Sequence, residues 1–255
     1  MEYKYYISSH NGIETLYRIK EGRIGDSAGT LESFQNGRWN GDLSSLKSFM
    51  SRYASGWLDE GDAMDYKTAI RALGKKVDEA RSFAAEKHGN QKYGKYPYEV
   101  HLVNAVSVLL RNGILPDTEM NIDLWSSAWL HDVLEDTDTD RDEIIDRFGI
   151  HIFEIVWSLT DGKGENRKER KQAMYEKIVL NQNAIIIKLA DRIANLEFSI
   201  IGNNQEKIKL YADENDELNS YLAGRITEKE GLVLLDYLNG LVGRMKLQHY
   251  NRLAP

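Results

Sequence analysis

The heptapeptide Leu130-His131-Asp132-Val133-Leu134-Glu135-Asp136 places four ionisable side chains within six residues, in a segment otherwise apolar enough to be buried (Trp125, Ala128, Trp129, Val133). Charge taken out of water without partners is costly, so such a cluster calls for counter-charges or a metal ion. Read as a helix, the spacing sets His131 and Glu135 at i,i+4 on one face, and Asp132 and Asp136 at i,i+4 one step round. That arrangement would let one pair hold a metal while its neighbours work on a substrate. Asp191 interrupts the apolar run Ala184-Ile-Ile-Ile-Lys-Leu-Ala-Asp191, and Asn195 follows one turn later on the same face. His101 stands early in another helix, after the polar segment Gln91 to Tyr98. Each alone has a plain structural reading: a satisfied core histidine, or a salt-bridged aspartate. Together, two imidazoles and two carboxylates form a mixed nitrogen and oxygen donor set suited to Mn²⁺, Fe²⁺ or Mg²⁺ rather than to softer metals.

The elements that must carry these residues are mostly helical. From about Asp62 onward the apolar residues recur with a helical period. Ala69, Leu73, Val77, Ala80, Phe83 and Ala84 form one stripe over Ala63 to His88. Pro97, tolerated in a first turn, opens a helix through Val100, Val103, Val106 and Leu110 that ends at Gly113. Further helices are expected at Asp123 to Leu134, Asp140 to Phe148, His151 to Leu159, Lys168 to Leu180, Ala184 to Ile201, Gln205 to Leu222 and Thr227 to about Gln248. The glycine-rich connector Thr160 to Arg167 reads as the most mobile link between them. The N-terminal segment differs. Tyr3, Tyr5 and Ile7 alternate with Lys4, Tyr6 and Ser8, a turn follows at His10-Asn11-Gly12, and Thr15 to Ile19 forms a second strand-like run. Asp42 to Tyr53 then reads as helical, with Leu43, Leu46, Phe49 and Met50 on one face. The expected fold is therefore mainly α: a helical bundle core with a small N-terminal α+β extension built on an antiparallel sheet. The expected division is residues 1–61, 62–225 for the core, and 226–255 as a C-terminal helix packing on it.

Composition narrows the functional classes. The 255 residues carry a net charge of −7, which argues against non-specific binding of polymeric nucleic acid, since that affinity comes from Lys and Arg neutralising phosphates. An anionic substrate then needs a local basic lining or a metal. The chain has no cysteine, which excludes disulfides, zinc ribbons and thiol nucleophiles and fits a reducing cytoplasm. No signal peptide is visible at the N-terminus, and no uncharged apolar stretch approaches the length of a membrane span.

The set His101 … His131-Asp132 … Asp191 resembles the H…HD…D signature of HD-domain phosphohydrolases. More narrowly the chain resembles the RelA/SpoT-type alarmone hydrolases, including the small single-function ones, over roughly Ala80 to Leu222. The matching stretches are Ala84-Ala-Glu-Lys-His88-Gly-Asn-Gln91, Pro97-Tyr98-Glu-Val-His101, His131-Asp-Val-Leu-Glu135-Asp136-Thr137, Phe148-Gly149, Leu159-Thr-Asp-Gly162 and Lys188-Leu-Ala-Asp191-Arg192-Ile-Ala-Asn195. The resemblance implies a Mn²⁺ ion held by His101, His131, Asp132 and Asp191, with Glu135 and Asp136 catalytic, positioning or deprotonating the attacking water. It implies substrate contacts by Lys92, Tyr98, Lys188, Asn195 and Tyr211. The implied reaction removes pyrophosphate from the 3′ position of ppGpp or pppGpp, leaving GDP or GTP. This chain departs from the family at Lys92, which stands where an arginine stacks on guanine. Lysine has no planar stacking surface, so Tyr93 or Tyr96 becomes an alternative base platform. Leu102 replaces the proline usual after the histidine.

His88 reads as structural, and His10, His151 and His249 carry no assigned role. The basic run Lys163 to Lys171 reads as a solvated helix start or as a phosphate-facing lining. The alternatives to the guanosine alarmone are an HD phosphohydrolase for an adenosine alarmone, dNTP or NADPH, and a degenerate HD binding module. The N-terminal segment has no counterpart in the resemblance and is a place for a protein partner or a homo-oligomer contact.

Overall fold

The computed structural model describes residues 3–10, 13–20, 31–35, 38–41, 49–51 and 62–253. Two compact units are present: Met1–Ala80 with Pro116–Ser126 and Asp140–Phe153, and Arg81–Leu115 with Ser127–Thr139 and Glu154–Pro255.

In the first unit, strands β1 (Tyr3–His10), β2 (Ile13–Lys20), β3 (Leu31–Gln35) and β4 (Arg38–Asn40) form an antiparallel sheet in the order β1-β2-β3-β4. The turn expected at His10-Asn11-Gly12 and most of the helix expected over Asp42 to Tyr53 lie outside the described residues; 49–51 are helical. Both faces of this sheet are covered. Tyr6 lies opposite Tyr17 and packs with Ile19, Leu31 and Phe49. The other face carries Leu16, which packs with Ala69, Ile70, Leu73 and Ile122, flanked by Tyr5, Ile7, Phe34 and Trp39. Tyrosines serve both sides because the ring is apolar while the hydroxyl can reach a polar partner.

The helices of this unit include α1 (Tyr66–Leu73), where Asp65 caps the start by accepting from the Thr68 amide at 2.8 Å. The stripe read as one helix from Ala63 to His88 is broken at Gly74, after which α2 runs from Lys75 to His88. Helix α6 (Arg141–Phe148) is capped by Asp140 and ends at Gly149. Gly149 has φ +90° and ψ 162°, a conformation essentially restricted to glycine.

In the second unit, Lys92–Tyr93 (β5) and Tyr96–Pro97 (β6) pair as a short hairpin. Pro97 therefore belongs to the hairpin, and helix α3 runs from Glu99 to Arg111. A proline's missing N–H and fixed φ suit both settings, so its sequence signal located the boundary to within two residues. Helices α4 (Glu119–Leu130) and α5 (Val133–Asp136) follow, with α4 beginning in the first unit and passing into the second after Ser126. Then come α7 (Ile150–Leu159), whose residues to Phe153 belong to the first unit, α8 (Arg167–Ile178), α9 (Gln182–Ile201), α10 (Gln205–Leu222) and α11 (Lys229–Leu253). Helices dominate the chain, as expected.

Helix α9 is the central element of this unit, contacting α3, α8, α10 and α11. Ile185, Ile187, Leu189, Ala190, Ile193 and Leu196 are fully buried, so this helix is apolar nearly all round, as a central helix must be. Each such isoleucine or leucine contributes roughly 1.5–3 kcal/mol of burial free energy. Asn181 caps its start by accepting from the Ala184 amide at 3.1 Å. Into this apolar rod the sequence inserts Lys188, Asp191, Arg192 and Asn195.

The loop between α7 and α8 is tied down rather than loose. The Gly162 amide donates to the Arg170 carbonyl at 3.2 Å, and the Glu165 amide to Glu169 Oε2 at 2.8 Å. A Cβ on Gly162 would overlap that of Ala173, and one on Gly164 would come within 2.7 Å of the Arg170 nitrogen. The glycines that suggested mobility serve close packing of the loop on α8 instead.

Candidate metal centre

The segment expected as one helix from Asp123 to Leu134 is interrupted at residues 131–132. Helix α4 stops at Leu130, and His131 and Asp132 form a turn before α5 begins at Val133. Successive residues of a regular helix point about 100° apart, so an unbroken helix could not aim both side chains at one spot. The turn does so: His131 Nε2 and Asp132 Oδ2 stand 3.1 Å apart. The i,i+4 pairing expected of His131 with Glu135 and of Asp132 with Asp136 gives way to a grouping of His131 with Asp132. The Asp132 carbonyl accepts from the Glu135 and Asp136 amides at 3.1 and 2.9 Å, which starts the short α5 and sends its two acidic side chains elsewhere.

Helix α3 supplies His101, whose Nε2 lies 3.1 Å from His131 Nε2, 3.2 Å from Asp132 Oδ2 and 3.4 Å from Asp191 Oδ1. Asp191, from α9, completes the group at 3.9 Å from His131 Nε2. His101, His131 and Asp191 are buried, and one donor atom from each falls within 4.8 Å of the others.

These four side chains fit a divalent metal ion. Ligands held at about 2.1 Å in octahedral geometry are separated by about 3 Å, close to the spacings found here. His131 Nδ1 faces the Ala128 carbonyl at 2.7 Å. A carbonyl only accepts, so Nδ1 carries the proton, and in the neutral ring the Nε2 lone pair is left facing the cluster, as metal ligation requires. Burial alone would depress the His131 imidazolium, but the Asp132 and Asp191 carboxylates outweigh it and push the group up to about 9. Asp132 is held well below the usual carboxylate range: burial would raise it, and the two histidines overcome that. The same balance, with Lys188 as the leading counter-charge, keeps Asp191 low. The site thus retains its carboxylates as anions and needs positive charge at its centre.

A second layer fixes Asp191. Lys188 Nζ donates to Asp191 Oδ2 at 2.9 Å. The Asn195 amide nitrogen donates to Asp191 Oδ1, while its oxygen accepts from the hydroxyls of Tyr93 at 2.8 Å and Tyr211 at 3.4 Å. Tyr98 donates from its hydroxyl to Asp132 Oδ2 at 2.6 Å, and burial beside Asp132 and Asp136 pushes its own ionisation far up, so it remains a donor. Of the five residues expected at the substrate, four (Tyr98, Lys188, Asn195 and Tyr211) are joined to this cluster through hydrogen bonds. Lys92 is exposed on the β5–β6 hairpin.

Glu135 and Asp136 have solvent-facing surface. Glu135 Oε2 accepts from the Asp161 amide at 3.0 Å. Crowding by protein on its inner side raises its carboxyl above the ordinary range, with the Asp161 charge adding and that hydrogen bond, Lys171 and Lys188 opposing. Lys171 donates to Asp161 Oδ1 at 2.8 Å, so this member of the basic run faces inward. Tyr93 is not a free platform: its ring lies 4.4 Å from Phe198 and 4.9 Å from His101 between centroids. Tyr96 keeps 42% of its surface exposed. Asp161 and Gln91 (which donates to Asp136 Oδ2 at 2.9 Å) stood out in the sequence only through their place in matching motifs, and Lys171 only as part of the basic run, because their roles depend on contacts across the fold.

A family model described as HD domain matches residues 80–227, over half of the chain. The guanosine-3′,5′-bis(diphosphate) 3′-pyrophosphohydrolase of Aquifex aeolicus is 35% identical over 156 residues, covering 59% of this chain and 21% of that protein. The enzyme of that name called MESH1 in Danio rerio is 35% identical over 122 residues, 46% of this chain and 66% of that protein. MESH1 of Drosophila melanogaster is 32% identical over 125 residues, with 48% and 68% covered. The chain thus spans about a fifth of the first relative and about two thirds of the other two. A solved structure of a metazoan ortholog of SpoT that hydrolyzes ppGpp superposes with a TM-score of 0.53 at 29% identity, over 64% of this chain and 93% of that one.

Proposed function

This chain belongs to the HD-domain family, and on that footing we propose that it hydrolyses the 3′-pyrophosphate of guanosine alarmones, converting ppGpp or pppGpp to GDP or GTP and pyrophosphate. The observation that carries the reading is the convergence of His101, His131, Asp132 and Asp191 around one point, with two further carboxylates open to solvent close by in sequence and space. These four would hold a divalent ion, and Mn²⁺ is the proposed one, a metal that a half-carboxylate, half-imidazole set suits. When bound, such an ion lowers the pKa of a water molecule and polarises a phosphoryl oxygen.

The protein groups do the remainder. Glu135, whose carboxyl is raised by its surroundings, is suited to take a proton from the attacking water near neutral pH. Asp136 orients that water. Lys188 and Asn195 keep Asp191 ionised and aimed, and Tyr98 does the same for Asp132. Lys171 and Lys188 bring positive charge to the side of Glu135, where it would favour an anionic phosphate. Lys92 and Tyr96, exposed on the hairpin, are the contacts proposed for the base, and Tyr211 for the ribose or base.

The absence of an arginine on the hairpin favours one second reading, an HD phosphohydrolase acting on another nucleotide: an adenosine alarmone, a dNTP or NADPH. No helix among the described residues is long and apolar enough to cross a membrane, and a cysteine-free chain suits action in the cytoplasm. The region 62–225 is the proposed catalytic part, and the N-terminal segment the proposed contact for a partner or second copy. Purified, Mn²⁺-loaded protein should release pyrophosphate from ppGpp in preference to pppApp, dNTPs and NADPH. Turnover of none of the 3′-pyrophosphates would defeat the proposal.

A further inference from the structure

We propose that His88 and Gln91 are positioning residues that hold the Asp136 carboxylate in place, through a hydrogen-bonded chain whose proton direction that carboxylate dictates. The proposal rests on the hydrolytic reading of the site. Gln91 Nε2 donates to Asp136 Oδ2 at 2.9 Å, and Gln91 Oε1 faces His88 Nδ1 at 2.8 Å.

The direction follows from which groups can donate. An ionised carboxylate only accepts, so the Gln91 amide must turn its nitrogen to Asp136 and its oxygen to His88. That oxygen also only accepts, so His88 carries its proton on Nδ1. The remaining ring nitrogen, Nε2, is then a bare lone pair. It is buried without a hydrogen-bond partner, and an unpaired acceptor there is better tolerated than an unpaired N–H would be. The opposite tautomer would set two lone pairs against each other and bury an unsatisfied donor as well. One carboxylate charge therefore fixes an amide orientation and a histidine tautomer in series.

The backbone holds the same chain. The Gln91 amide donates to the His88 carbonyl at 2.8 Å, and the Tyr98 amide to the Gln91 carbonyl at 3.1 Å. His88 is 5% exposed and stacks on Tyr98 at 4.3 Å between centroids and 18° between planes. Tyr98 in turn donates to Asp132. A single imidazole thus supports a carboxylate of the metal cluster on one side and a solvent-facing carboxylate on the other. Packing alone would account for the ring against Tyr98. It would not account for a polar chain that runs from a buried imidazole through a half-buried amide to an exposed acid.

The test uses the full chain with His88→Phe, which keeps the stack and deletes the donor, Gln91→Met, and His88→Asn, whose amide nitrogen restores a donor near the Nδ1 position. His88→Phe and Gln91→Met should lower kcat about tenfold or more, with KM and Mn²⁺ affinity close to wild type, and His88→Asn should recover much of kcat. Nitrogen-15 NMR of the imidazoles provides a readout independent of substrate. His88 should show the Nδ1–H tautomer in wild type and lose that fixed state in Gln91→Met. An Nε2–H tautomer in wild type overturns the chain. A fall in kcat that tracks loss of thermal stability, with no rescue by His88→Asn, overturns the positioning role in favour of packing. An inactive wild type that still shows the Gln91-dependent Nδ1–H state supports the chain and defeats the hydrolase reading instead.

Discussion

The Nε2 atoms of His101 and His131 face each other at 3.1 Å in a buried space that also receives Asp132 Oδ2 and Asp191 Oδ1. Neutral imidazole nitrogens and carboxylate oxygens meeting this closely repel unless a proton or a cation stands among them. Asp132→Ala should therefore abolish stoichiometric Mn²⁺ binding and turnover together. Because His131 is pushed up to about 9 in the free protein, the ion must displace a proton at pH 7, and that release should fade as pH rises past 9. Calorimetry in two buffers of different ionisation enthalpy measures it, and proton-neutral binding at pH 7 would contradict the assignment.

Glu135 Oε2 takes its hydrogen bond from the Asp161 backbone amide at 3.0 Å, not from a member of the metal cluster. Replacing it with alanine should leave Mn²⁺ affinity intact and reduce kcat by roughly 10²–10⁴-fold, the usual worth of a proton-transfer group. Full activity in this variant would remove Glu135 from the mechanism.

Asn195 and Lys188 both end on Asp191. Asn195→Ala should weaken Mn²⁺ binding by about 10–100-fold, as is typical when a group orienting a ligand is lost. Lys188→Met should act in the same direction, because the leading counter-charge that holds Asp191 ionised disappears. Competition with a calibrated chelator reads both. Unchanged affinity in each would mean that α9 alone fixes the carboxylate.

Away from the site, Glu214 joins Arg167 at 2.8 Å and the buried Arg192 at 2.7 Å. Burial would raise its carboxyl, but these two guanidinium groups lower it below the ordinary value of 4.5. A depressed folded-state pKa stabilises above the unfolded value, and the contribution is lost as pH falls through the lowered folded one. Glu214→Gln should thus be less stable than wild type at pH 7, and the gap should narrow below about pH 4. Urea midpoints across that range decide it, and a gap independent of pH would assign the effect to packing.

The mainly helical fold, the N-terminal sheet and the family were legible from local patterns. Apolar periodicity reports burial of one element at a time, so it located α9 and α10 to within two residues, Gln182–Ile201 and Gln205–Leu222. It also blurred two interruptions. Gly74 breaks the first long stripe without disturbing its period. The turn at His131-Asp132 lies inside an apolar stretch that reads as continuous helix, and it lets two adjacent side chains face one point.

Residue type and order were enough to single out His101, His131, Asp132 and Asp191, because a buried acid or imidazole is conspicuous wherever the surrounding run is apolar. Their meeting within 4 Å was settled by packing of α3 and the α4–α5 turn around α9. So were the amide that Asp161 gives to Glu135, the hold of Gln91 on Asp136, and the burial of Tyr93 against Phe198. Such contacts join residues 26 to 105 positions apart. A hydrogen bond acts over about 3 Å of space whatever the distance along the chain, so only the assembled fold can decide which of these polar groups meet.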